Sequence, residues 1–96
     1  MSKPVAARFP LGCVVATPGA LALLEEANVS HSSLLFRHVS GDWGDVPPED
    51  AKENEFSVEH GFRILSSYQV GENGVRCWII TEADRSSTCL LLPSEY

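Results

Sequence analysis

Glu82, Asp84, Arg85, Ser86, Ser87 and Thr88 crowd two acids, a guanidinium and three hydroxyls between the apolar runs Cys77–Ile80 and Cys89–Leu92. Such a set can hold a small polar ligand at the mouth of a sheet, with the guanidinium on an anion and the carboxylates taking protons. The same residue types also build ordinary turns, in which Asp and Ser accept backbone N–H groups and Arg85 pairs with Asp84 or Glu82 at the surface. His60 and Arg63 flank Gly61 just before an alternating segment. A histidine there could act as acid or base near neutral pH. With Arg85 and Ser87 or Thr88 it would loosely match the His/Arg/Ser set of small ribonuclease toxins. The structural alternative is a histidine that caps a backbone carbonyl.

Two further groups bear chemistry. His31 and His38 lie seven apart, on one face of a helix, with Asp42 and Asp45 nearby as metal-ligand candidates. The spacing departs from the four-residue step of helical metal pairs and no cysteine supports it, so no metal is expected. Asp42-Trp43-Gly44-Asp45 sets an indole among glycines and carboxylates. It reads either as a core tryptophan anchoring an irregular loop or as an aromatic anchor for a partner. The carboxylates between Asp42 and Glu59 number seven against one lysine, a face able to meet a basic protein or simply to stay solvated. No phosphate-binding glycine loop, nucleophile elbow or paired-carboxylate spacing is present, and no cofactor is expected.

The elements that must position these groups follow from local signals. Thr17-Pro18 opens a helix, with Thr17 as N-cap and Pro18 at its first position. Strong helix formers run on to Ala27, and Asn28 can end them in a left-handed cap. Ser30 opens a second helix over His31–Val39, making a helical hairpin. Pro47-Pro48 starts a third, short helix with acids in its first turn, over Glu49–Glu55, with Phe56 and Val58 turned inward. From Arg63 the period becomes two: Ile64, Ser66, Tyr68 and Val70 share one face. Gly71-Glu72-Asn73-Gly74 signals a hairpin through an Asn-Gly type I′ turn. Val75–Thr81 is the second strand, central because both its faces are apolar, and Thr88–Leu92 is the third. The fold expected is α+β: N-terminal short helices packed on a three-stranded antiparallel β-meander. Cys13–Ala16 could add a short edge strand. Residues 1–10 read as a flexible leader and 11–96 as a single domain.

The net charge of −6 disfavours direct nucleic-acid binding, since no two of the seven basic residues are adjacent. Three cysteines without a CxxC pair indicate buried, reduced thiols and a cytoplasmic setting. Met1–Arg8 has no apolar core of a secretion signal, and no apolar run approaches a membrane span.

Thr17–Leu21, Gly41–Asp45, Glu53–Glu55, Gly61–Tyr68, Trp78–Thr88 and Pro93–Tyr96 together resemble a family of short plasmid-related proteins carried on plasmids and integrated elements of proteobacteria. The resemblance runs from about Leu11 to Tyr96. It implies a mobile-element origin and carries no activity and no assigned residues. A restriction–modification role would need a methyltransferase fold and its cofactor site, for which the chain is too short. The reading that results is a protein-interaction module rather than an enzyme. Its expected surface is Asp42, Trp43, Asp45, His60, Arg63 and the run Glu82, Asp84, Arg85, Ser86, Ser87 and Thr88, facing a protein partner. The alternatives are a small hydrolase built on His60, Arg63, Arg85 and Thr88, and an acidic anti-restriction or anti-defence inhibitor.

Overall fold

The structure is a computed structural model that describes residues 7–96. Strand β1 (Cys13–Ala16) leads into helices α1 (Pro18–Ala27), α2 (His31–Val39) and α3 (Pro48–His60). Strands β2 (Ile64–Val70), β3 (Val75–Thr81) and β4 (Ser87–Leu91) follow, and a single 3-10 turn, Pro93–Glu95, closes the described chain. The class is α+β. The sheet has four strands in the order β1-β4-β3-β2, and β1 runs parallel to β4. It is therefore mixed, not the three-stranded antiparallel meander expected, and the helices lie between β1 and β2 rather than forming an N-terminal block. Parallel pairing requires a long crossover, and the three helices supply it.

Local chemistry explains most of the boundaries. The Thr17 hydroxyl accepts the Ala20 N–H at 3.1 Å, and Asn28 caps α1 in the left-handed region at φ 56°. Ser30 caps α2 by accepting the Ser32 N–H. Helix α3 does not stop at Glu55 but runs to His60, where Gly61 takes φ 75° and sends its N–H back to the Ser57 carbonyl. The β2–β3 connection is a four-residue loop with Gly71 and Gly74 at positive φ, not a two-residue Asn-Gly turn, because Val70 pairs directly with Val75.

Alternation sorts the sheet into two faces. Tyr68, Val70, Cys77, Ile79 and Leu90 pack under Ala20 and Leu24 of α1 and Leu34 of α2. Beside them Ile64 joins Phe9 and Trp43, with Val58 and Ala51 of α3 against that group. All three helices thus cover one face, and each buried Leu, Ile or Val side chain there contributes roughly 1.5–3 kcal/mol. Phe9 is only 5% exposed, so the domain begins before residue 10; residues 1–6 of the expected leader lie outside the described residues. On the opposite face lie Leu65, Trp78, Ile80, Cys89 and Leu91. The Tyr96 ring packs edge-on against Trp78, and its hydroxyl accepts from Arg63.

The outer edge of β2 is blocked. Asn54 of α3 accepts the Leu65 N–H and donates to the Leu65 carbonyl, as a neighbouring strand would. Two residues on, the Trp43 carbonyl and Asp45 N–H do the same for Ser67. Gly44, at φ 74°, makes this approach feasible: a β-carbon there would run into the Ser67 carbonyl oxygen and lie 2.7 Å from the Tyr68 ring. Gly61 has a similar φ but open space around it. Gly44→Ala is therefore expected to destabilise by roughly 2–4 kcal/mol, and Gly61→Ala by only about 1 kcal/mol, in denaturant titration. Equal losses would show that the close approach at Gly44 is unimportant.

Candidate functional site

His38, on α2, is fully buried and carries the most elaborate polar contacts in the molecule. Its Nδ1 lies 2.6 Å from the Ser66 hydroxyl, and its Nε2 lies 2.9 Å from the Thr81 hydroxyl. Thr81 is 2.7 Å from the Thr88 hydroxyl, which donates to the Leu11 carbonyl at 2.8 Å. That terminal carbonyl accepts only, and it orders every proton in the chain. Thr88 gives its proton to Leu11, so its oxygen accepts from Thr81. Thr81 then accepts from the His38 Nε2–H, and Ser66 donates to the bare Nδ1. The imidazole is neutral, and its pKa is pushed down to about 4, chiefly by burial and then by the Arg85 charge. Phe9 and Trp43 close over it edge-on, with ring centroids 5.2 and 6.0 Å away. No buried side-chain polar atom among the described residues lacks a partner. The relay ties α2, β2, β3, β4 and the segment before β1 together.

The residues of the polar connection before β4 part company. Thr88 is fully buried in the relay. Arg85 sits at φ 61° and spends its guanidinium on main chain: it donates to the Ser57 carbonyl at 2.7 Å, Phe62 at 2.7 Å and Glu82 at 3.1 Å. It thereby holds the C-terminal end of α3 and the β3–β4 loop to each other. The Ser86 side chain, and then the Ser86 N–H that Asp84 accepts, hold the Asp84 carboxyl below the usual range, and the Glu82 N–H donates to the Ser87 carbonyl across the loop. Arg63 pairs with Glu82 at 3.2 Å on the surface. Loss of three charge-assisted bonds predicts that Arg85→Ala costs roughly 2–3 kcal/mol, and that Arg85→Lys fails to recover it because one ammonium cannot span three carbonyls. A thermal melt unchanged by Arg85→Ala would refute this assignment.

Trp43 is a core residue, 5% exposed, and cannot itself be a surface anchor. Its Nε1–H donates to Glu55, which also takes a bidentate pair of bonds from Arg8 at 2.7 and 2.9 Å. Asp42 pairs with Arg37 and Asp45 with Arg76, so three of the seven carboxylates between residues 42 and 59 are already held by arginines.

His60 does not approach the hydroxyls before β4. It is exposed on the last turn of α3 and stacks on Phe56, ring centroids 4.1 Å apart. The hydrolase set is committed elsewhere: the Thr88 hydroxyl is enclosed and already bonded, and Arg85 spends three hydrogen bonds on main-chain carbonyls. Thiol chemistry fares no better at Cys77, whose pKa burial raises to about 11. The cysteines are not all buried as expected, since Cys13 is exposed and Cys89 half-buried. His31 is exposed while His38 is enclosed, and no metal-binding group of His, Cys, Asp and Glu exists among the described residues.

The surface feature that sequence reasoning misplaced is Phe56. Expected to face inward, it is 54% exposed, as is Phe62. Asn54 and Ser57 face in instead, because Asn54 binds the β2 edge and the Ser57 carbonyl receives Arg85. Phe56 and Phe62 lie nearly parallel at 5.8 Å, and with His60 they form an exposed row of three rings. They border a groove of about 800 Å³ between α3 and the start of β2. Leu65 adds to its apolar lining; Asp50, Lys52, Glu53 and Arg63 supply its polar part. The only hint in the sequence was the spacing of Phe56, His60 and Phe62.

No helix among the described residues is long and apolar enough to cross a membrane. No protein-family model matches the chain, and no curated protein or solved structure is similar to it at a significant level.

Proposed function

We propose that this chain is a protein-interaction module, a small cytoplasmic protein of a bacterial mobile element. Its binding surface is the α3–β2 groove with Phe56, His60 and Phe62. The observation that carries this reading is the ring row itself: two phenylalanines more than half exposed beside a concave apolar groove. Burying such rings against a partner supplies the central, water-excluding contact of a binding hot spot. Leaving them in water gives the free protein nothing. Of the originally expected surface, Arg63 lines this groove and His60 stacks on Phe56 beside it, whereas Trp43 and Thr88 are buried.

The test is capture of partners from the native host by the wild-type chain and by the Phe56→Ser/Phe62→Ser variant. Both positions are exposed, so the melting temperature should change by no more than a few degrees. Wild type is expected to retain a stoichiometric partner that the variant loses at least tenfold. A partner held equally by both would remove this surface from the account.

A further inference from the structure

We infer that the occupant of the α3–β2 groove is a basic, apolar-anchored segment of the partner protein. This rests on the interaction-module reading and adds the chemistry of the bound segment. The carboxylates and the aromatic row decide it together. Asp50 and Glu53 line the groove alongside Phe56, Phe62 and Leu65. Neither takes part in the four ion pairs found among the described residues, and neither do Glu49 and Glu59 on the same helix. Of the two cations in the lining, Arg63 is held by Glu82 and the Tyr96 hydroxyl. Within the lining that leaves Lys52 against Asp50 and Glu53.

An occupant that fills the groove over Phe56 and Phe62 also meets Asp50 and Glu53 in its lining. An acidic or purely apolar segment would leave those carboxylates desolvated without a partner, which is strongly unfavourable. A segment with Lys or Arg solves both problems. Its aliphatic stem or guanidinium plane lies on the rings, and its charged end reaches the carboxylates. Nucleic acid, which would bring phosphates to this face, is disfavoured by the same charges. At about 800 Å³ the groove has room for an extended or helical segment.

A phage library of random dodecapeptides, selected on the immobilised full chain and counter-selected on the Phe56→Ser/Phe62→Ser variant, tests this. Enriched peptides are expected to be net positive with an aromatic or aliphatic anchor. A synthetic copy should bind about tenfold more weakly to Asp50→Asn/Glu53→Gln, and more weakly still in high salt. No enrichment, or enrichment of acidic or neutral peptides, would overturn the inference. Host-partner capture separates the two levels. If Phe56→Ser/Phe62→Ser loses the partner while Asp50→Asn/Glu53→Gln keeps it, the interaction surface stands and the basic occupant falls. If neither variant loses it, both fall.

Discussion

Trp43→Ala is expected to destabilise the protein by about 3–5 kcal/mol, a large part of the stability available to a domain of this size. The indole fills the second core group, stacks near-parallel on Phe9 at 6.2 Å and closes over His38. Its removal leaves a cavity that the rigid β2 edge cannot collapse into, because the Trp43 carbonyl and Asp45 N–H are fixed on Ser67. It also deprives Glu55 of one donor beside Arg8. The midpoint of thermal unfolding should fall by more than about 12 °C. Trp43→Phe keeps most of the ring volume and loses only the N–H donor and part of the packing, so it should fall less than half as far. A loss of under 1 kcal/mol for Trp43→Ala would mean that the indole is a presented group after all.

The second large effect is a loss of stability in acid. His38 titrates at about 4 in the folded chain against an ordinary value of 6.5. The depressed value means that the unfolded chain binds this proton first. The stability conferred by the neutral imidazole is thus complete above pH 6.5 and is lost as pH falls toward 4. The difference corresponds to roughly 3 kcal/mol. The carboxylates held below the usual range, Asp42 beside Arg37, Glu55 beside Arg8, Asp84 beside Ser86 and Glu95 beside Thr17, lose their contribution only as pH falls below about 5, so the window above about pH 5 belongs mainly to His38. Protonation would put a hydrogen on Nδ1 facing the Ser66 hydroxyl and a charge near Arg85. Denaturant titrations from pH 7 to 4 should show the slope in wild type. His38→Gln should be less stable at pH 7 and nearly flat down to about pH 5. Parallel curves for the two proteins would contradict the relay.

Local grammar was legible where one residue dictates one backbone choice. Thr17 before Pro18, Ser30 before α2 and Asn28 after α1 each satisfy a helix end within a few residues. The alternation of Ile64, Ser66, Tyr68 and Val70 needs no distant partner to mark a strand. Pairing of β1 with β4 was not legible, because four apolar residues carry no sign of which strand they will join across some seventy positions. Helix α3 misled for a different reason. Its inward side is polar, with Asn54 serving as a surrogate strand and Ser57 offering its carbonyl to Arg85, so hydrophobic periodicity pointed Phe56 the wrong way. His38 looked like one of a pair on a helix face. Only the fold shows that its true partners, Ser66, Thr81 and Thr88, come from three strands.

Of the residues first singled out, those before β4 turned out to build the scaffold, while the neighbourhood of His60 and Arg63 borders the exposed groove. The Gly61 cap and the Arg85 clasp fix where α3 ends, and that end presents Phe56, His60 and Phe62 together. Stability and the proposed recognition therefore reside in different residues, which makes the proposal separable by mutation.

Amide hydrogen exchange on the chain, alone and with its captured host partner, tests the central claim most directly. The account predicts new protection over Asp50–Leu65, centred on Phe56 and Phe62, with the relay strands equally protected in both states. Protection confined to Asp42–Asp45 or Glu82–Thr88, with Asp50–Leu65 unchanged, would contradict it.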